Sequence, residues 1–163
     1  EYQPRIVPIV QDNDGIIDKF MGDGVMATFG AVAPSTTYAA DALRSIEAGI
    51  EVIDAWNTNL VAVGKPALTV NAAAASGDLI FAAVGDENRL EYTVIGDTVN
   101  LAAKLEKHTK YEDACAVVTT ETYDLALAQG FVPRHAGDRR IGRSVEGVGG
   151  LVDLVALGRR REV

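Results

Sequence analysis

Lys19 and Asp23 stand within a largely apolar stretch, IIDKFMGDGVMATFG (residues 16–30). Glycines on both sides of Asp23 let backbone come close to a phosphate, and a carboxylate at such a turn can point outward as a ligand for a divalent cation. Lys19 stands four residues earlier, about 13 Å away along an extended chain, so one small ligand group cannot touch both. Each also has a plain structural reading: Asp23 as a turn residue, Lys19 as a strand-edge residue that lays its stem on apolar surface and keeps its ammonium wet. A second candidate set lies in EYTVIGDTVNLAAKLE (residues 91–106), where Asn100 and Lys104 are i and i+4. On a helix they share a face distinct from that of Leu101 and Leu105. An amide and a cation projecting together suit a phosphoryl group and its neighbouring sugar, and equally a solvated helix face.

The elements that must position these residues are legible as periods. Ile16, Ile17, Phe20 and Met21 lead into Gly22-Asp23-Gly24, and Val25 to Phe29 lead out, which predicts a β-hairpin. Before it, EYQPRIVPIVQDNDG reads as the end of a helix, with prolines at 4 and 8. After it, Ser/Thr capping candidates precede Ala39, Ala42, Leu43, Ile46, Ile50, Ile53 and Trp56 at helical spacing. ALTVNAAAASGDLIFAAVG reads as a second hairpin turning at Ser76-Gly77-Asp78, its small side chains packed beneath the long helix. A strand ending near Ile95 then passes through Gly96-Asp97 into the helix that carries Asn100 and Lys104. A strand at 116–119, a capped helix at 120–129, a basic loop RHAGDRRIGR and a last strand around 151–157 complete an α+β domain, a mostly antiparallel sheet covered by helices.

Composition limits the chemistry. With 163 residues and 48% hydrophobic, the chain has the length and apolar content of one domain with a proper core. A net charge of -8 and a pI near 4.7 argue against a nucleic-acid surface, so an anionic ligand needs local cations or a bridging metal. The lone Cys115 excludes an intramolecular disulfide and suits a reducing, cytoplasmic setting. No apolar stretch approaches the ~20 residues that span a bilayer.

Taken together, DKFMGDGVMATFG, the second motif about sixty residues later and the closing GVGGLVDLVAL resemble the catalytic domain of class III nucleotidyl cyclases, the adenylate and guanylate cyclase family, most closely its bacterial adenylate cyclases. The resemblance implies a ferredoxin-like, palm-type core and a head-to-tail homodimer with composite nucleotide sites. By the same resemblance Asp23 matches the aspartate that holds two Mg2+ or Mn2+ ions. Lys19 matches the lysine that contacts the purine at the other site of the dimer, which removes the distance problem. Thr93 matches the position that reads the purine edge with that lysine; lysine with threonine resembles adenylate cyclases and favours ATP over GTP. Asn100 matches the asparagine that orients the ribose. Lys104 stands where the family usually has an arginine that stabilises charge on the α-phosphate.

The implied activity is conversion of ATP to 3′,5′-cyclic AMP and pyrophosphate by attack of the ribose 3′-oxygen on the α-phosphorus, with little covalent work left to the protein. Three departures are visible. The family's first strand, bearing its other metal-binding aspartate, belongs upstream of Glu1, so residues 1–163 are expected to be an N-terminally incomplete cyclase domain. Lys104 keeps the charge of the arginine but loses its planar fork. The last loop, SVEGVGG, lacks the lysine that many relatives place on the triphosphate, so Arg139, Arg140 or Arg143 would substitute, Arg143 being the residue assigned here. The alternative is a weak or degenerate cyclase-homology domain that binds nucleotide or dimerises to regulate an attached module. A guanylate cyclase is disfavoured by Lys19.

Overall fold

A computed structural model describes residues 2–86 and 89–160. Helix α1 (Gln3–Asp12) has Pro4 in its first turn, where no intrahelical N–H bond is lost, and runs on through an exposed Pro8. It leads into a hairpin of β1 (Ile16–Met21) and β2 (Gly24–Thr28), closed by the pair Met21 and Gly24. Gly22 has φ +63°, the left-handed value that a tight two-residue hairpin turn demands at its first position. The 25-residue helix α2 (Tyr38–Ala62) follows. Thr37 stands at its N-cap, yet the hydroxyl donates to Asp41 Oδ2 at 2.7 Å and caps nothing. The free amides of Ala39 and Ala40 are taken instead by Gln129 Oε1, at 2.8 and 3.2 Å, from the far end of the sequence.

The core is built on a four-stranded sheet in the order β3-β6-β8-β7, formed by β3 (Ala72–Ala74), β6 (Ala114–Thr119), β8 (Leu151–Arg159) and β7 (Asp138–Ser144). Strand side chains alternate between faces, and here the alternation feeds two cores. Ala116 and Val118 of β6 and Val155 and Leu157 of β8 meet Ala39, Ala40 and Leu43 of α2, with Tyr123 and Ala126 of helix α4 (Thr120–Ala128). Val117, Leu154 and Ala156 point the other way, onto Leu105 of helix α3 (Asp97–His108), which is fully buried. Truncating a leucine so enclosed costs about 2–5 kcal/mol.

Two expectations about elements are corrected. Residues 67–85 do not form a hairpin. β3 pairs in parallel with β6, because its alanines are small enough to lie under Ile46 and Ile50 of α2. The next strand, β4 (Ile80–Asp86), pairs only with β5 (Arg89–Ile95), as a separate two-stranded ribbon. The basic segment is likewise no loop: from Asp138 it is β7, a charged strand at the sheet edge, with the register broken between Arg140 and Arg143. The α+β reading holds, although the strands divide into three sheets and one pairing is parallel. No helix among the described residues is long and apolar enough to cross a membrane.

Candidate active site

The sequence Ile17-Asp18-Lys19 should alternate faces along β1, but the ladder skips a residue. Ile17 pairs with Ala27 and Lys19 with Met26, which leaves Asp18 as a bulge. Bulges re-aim a side chain. The Asp18 carboxylate leaves the hairpin and reaches β5, accepting from Thr93 Oγ1 at 2.7 Å and from the Val94 amide at 3.2 Å. Its side chain is only 3% exposed, and Lys19 Nζ stands 3.7 Å from Oδ2. Thr93 is itself buried, at 7% exposure. Lys19 and Thr93 are thus gathered at one junction of β1 with β5, and the residue that gathers them, Asp18, is absent from the sequence reading.

Asp23 sits in the hairpin turn with its side chain in solvent. The turn is steadied by α1, where Gln3 Nε2 donates to the Gly22 carbonyl at 3.2 Å. Burial pushes the Tyr2 phenol above its ordinary pKa, and the nearby carboxylates of Asp23 and Glu106 add to the shift. On α3, Asn100 is exposed in the first turn, one turn before Lys104. Lys104 donates its ammonium to the Gly147 carbonyl in the loop between β7 and β8. No hydrogen bond or ion pair among the described residues joins Lys19 or Asp23 to Asn100 or Lys104.

The four arginines of the basic segment all face carboxylates, Arg134 meeting Glu51. Arg139 holds Asp124 at 2.5 Å, and Arg140 bridges Asp138 and Glu112. Arg143 donates from Nε to Glu112 Oε1 at 2.8 Å, and the same oxygen lies 2.7 Å from His108 Nε2. Glu112 has no exposed surface. Burial pushes its carboxyl upward, but the hydrogen bonds from Arg143 and His108, with their charges, outweigh that and hold it below the usual glutamate value. This hub joins the end of α3 to β7, and sequence reasoning missed it.

Asp23 fits a Mg2+ or Mn2+ ion as one ligand, since Mg2+ takes one or two carboxylates and completes its shell with waters and substrate phosphates. Among the described residues no group of three metal-ligating side chains stands together. Two clefts elsewhere, of about 300 and about 690 Å3, are lined by none of Lys19, Asp23, Thr93, Asn100 or Lys104. Asp23 and Asn100 are exposed, whereas Thr93 is buried and Lys19 partly so.

Comparison with known proteins bears on this arrangement. Over 110 residues the chain is 36% identical to "Adenylate cyclase 1" of Rhizobium meliloti, covering 68% of this chain and 16% of that one. It is 30% identical over 114 residues to an adenylate cyclase of Anabaena cylindrica, covering 69% and 22%. The chain thus spans no more than about a fifth of either relative's length. Its structure superposes on the adenylyl cyclase CyaB from P. aeruginosa with a TM-score of 0.70 at 27% identity, covering 99% of this chain and 81% of that one. It superposes on the guanylyl cyclase Cya2 with a TM-score of 0.72 at 22% identity, covering 99% and 78%, a likeness of fold. The family profile described as "Adenylate and Guanylate cyclase catalytic domain" matches residues 10–148, a span holding both motifs and every candidate side chain, and the chain belongs to that family.

Proposed function

We propose that this domain makes 3′,5′-cyclic AMP from ATP. The observation that carries the reading is the Lys19–Asp18–Thr93 junction: a cation and a hydroxyl held side by side, with α3 and its Asn100 beginning a few residues beyond Thr93. Lys19 donates to a ring-nitrogen acceptor of adenine, and Thr93 meets the exocyclic amine. Asn100 orients the ribose so that the 3′-oxygen lines up on the α-phosphorus. The bond from that oxygen to phosphorus forms as the 3′-hydroxyl proton leaves to solvent and the bond to pyrophosphate breaks, and Lys104, released from Gly147, stabilises the added charge. Arg143, anchored through Nε to Glu112 with 40% of its side chain exposed, supplies a further cation toward the triphosphate. Asp23 would hold the divalent ions, which would supply Lewis-acid chemistry, making the 3′-hydroxyl more acidic and offsetting phosphate charge.

Two copies complete each site in this reading. In one copy Asp23 is joined to neither Asn100 nor Lys104. The β1–β2 hairpin exposes Phe20 and Met21, and the β4–β5 ribbon exposes Ile80, Phe81, Leu90 and Tyr92. Apolar surface of that kind marks an interface. A head-to-tail pair would set Asp23 of one copy against Asn100 and Lys104 of the other. Regulation would come from further domains, consistent with relatives several times longer.

A second reading, nucleotide binding without turnover, is favoured by Lys104, which lacks the arginine fork and is tied into the 145–148 loop. The full-length protein incubated with ATP and Mn2+ or Mg2+ separates the two. Cyclic AMP that disappears in Asp23→Ala supports the cyclase, and ATP binding without cyclic AMP supports the second reading.

A further inference from the structure

The bulge at Asp18 has a chemical consequence for which nucleotide the site takes. Both carboxylate oxygens face donors: Oδ2 takes the Thr93 hydroxyl hydrogen at 2.7 Å, and Oδ1 takes the Val94 amide at 3.2 Å. A carboxylate in that position has only lone pairs to offer, so the hydroxyl hydrogen of Thr93 is committed to it. Thr93 is left with lone pairs alone for a ligand. Adenine carries an amino group, a donor, at C6 of its ring; guanine and hypoxanthine carry a carbonyl, an acceptor, at the same place.

We propose that Asp18 is a specificity-positioning residue: it fixes the Thr93 hydroxyl as an acceptor and so selects 6-aminopurine over 6-oxopurine nucleotides. Asp18 touches no substrate in this account, and its neighbour Lys19, 3.7 Å from the same carboxylate, is steadied by it as well. The burial of the side chain fits the role, because a carboxylate that is 3% exposed is shielded from competing water. The inference rests on the cyclase reading for the place where the purine binds.

The test exploits an isosteric change. In Asp18→Asn the amide oxygen can still accept from Val94, while the amide nitrogen now donates to Thr93 Oγ1. That frees the Thr93 hydrogen to donate to a 6-carbonyl. Binding of ATP and of inosine triphosphate, which differ at C6 without the 2-amino group of guanine, is measured by competition against a fluorescent ATP analogue with Mg2+. Asp18→Asn should lower the preference for ATP about tenfold, the loss of one hydrogen bond of matched polarity and the gain of another. Thr93→Val, which removes the hydroxyl, should also flatten the preference, and adding Asp18→Asn to it should then change nothing further. Asp18→Asn with both affinities reduced alike, or an unchanged ratio in folded Thr93→Val, would overturn the proposal. Should Asp18→Asn not fold, Thr93→Val alone decides. Wild-type protein that binds neither nucleotide would instead overturn the cyclase reading beneath it.

Discussion

The two ends of the candidate site are built differently. At the β1–β5 junction, Asp18 and Thr93 are buried and directly bonded, with Lys19 close beside them. At the phosphate end, Asp23 and Asn100 stand in solvent, and Lys104 spends its ammonium on a backbone carbonyl. A base is read by hydrogen-bond polarity, which needs fixed donors and acceptors shielded from water. Phosphates and their counter-ions bring their own charge and water, and are met by side chains free to turn toward them. In the proposed pairing, one copy would give its purine end, Asn100 and Lys104 to one site and its Asp23 to the other. Changes at the first end should cost stability together with discrimination, and changes at the second should cost turnover alone.

The largest effect expected follows from that division of labour. Asp23→Ala and Asn100→Ala should each remove activity, and mixing the two proteins should restore it. In a mixed head-to-tail pair both lesions fall in one composite site, which leaves the other intact. Random exchange makes about half of the pairs mixed, so cyclic AMP production should rise from background to about a quarter of wild type. Exchange is verified with differently tagged chains. Activity that stays at background after proven exchange would place Asp23 and Asn100 in the same copy's site and break the comparison.

The next contrast is in stability. Asp18→Ala leaves the Thr93 hydroxyl and the Val94 amide without their acceptor, so unfolding in urea should show a loss of about 3 kcal/mol. Asp23→Ala, on an exposed turn, should stay within about 0.5 kcal/mol. Equal losses would mean that the phosphate end is as tightly built as the purine end.

How much of this was open to the sequence depends on whether the signal was local. The first hairpin, the apolar stripe of α2 and the strand-to-helix passage at Gly96 were legible, because each rests on periods and turn residues within about twenty positions. Lys19, Asp23, Asn100 and Lys104 stood out by residue type and spacing, whereas Thr93 and the role assigned to each came only from resemblance. Asp18 was passed over because strict alternation puts it on the same face as Ile16 and Phe20, and only a skipped residue in the ladder turns it toward β5. A charge at a position where the period demands an apolar residue was the available hint. The pairing of β3 with β6 and the capping of α2 by Gln129 join residues about forty and ninety apart, where local pattern carries no information.

Glu112 is the plainest case, since its partners are His108, Arg140 and Arg143, and nothing in RHAGDRRIGR says that two of its arginines turn inward. The hub lies apart from the purine end and reaches the phosphate end only through Arg143, so it is read through stability. Glu112→Gln should cost about 2 kcal/mol, the low side for a broken buried pair because the arginines keep some water. Because the folded carboxyl is held below its ordinary value, its contribution is present in full above the unfolded glutamate pKa, about 4.3. It is lost as pH falls from there through the folded value. Melting followed from pH 7 to pH 3 should therefore show wild type and Glu112→Gln converging as acid is added. Parallel curves would mean that the hub gains nothing from its charge.

The smallest effect separates backbone strain from packing at the phosphate end. Gly22 and Gly147 both hold left-handed backbone, at φ +63° and +76°. An alanine at either position pays the same kind of conformational penalty, about 1 kcal/mol. Their surroundings differ. A Cβ built on Gly22 meets nothing within 4 Å, whereas one on Gly147 comes within 3.1 Å of Lys104 Cε. Gly22→Ala should therefore report strain alone, and Gly147→Ala strain plus whatever it takes to move Lys104. If Lys104 is only parked on the Gly147 carbonyl and swings away when a phosphate arrives, the flexible lysine gives way and the two variants melt within about 1 °C of each other. A much larger loss in Gly147→Ala would show Lys104 to be a fixed strut of the 145–148 loop. It could not then also be the cation that meets the α-phosphate, and the phosphate end would be as rigid as the purine end.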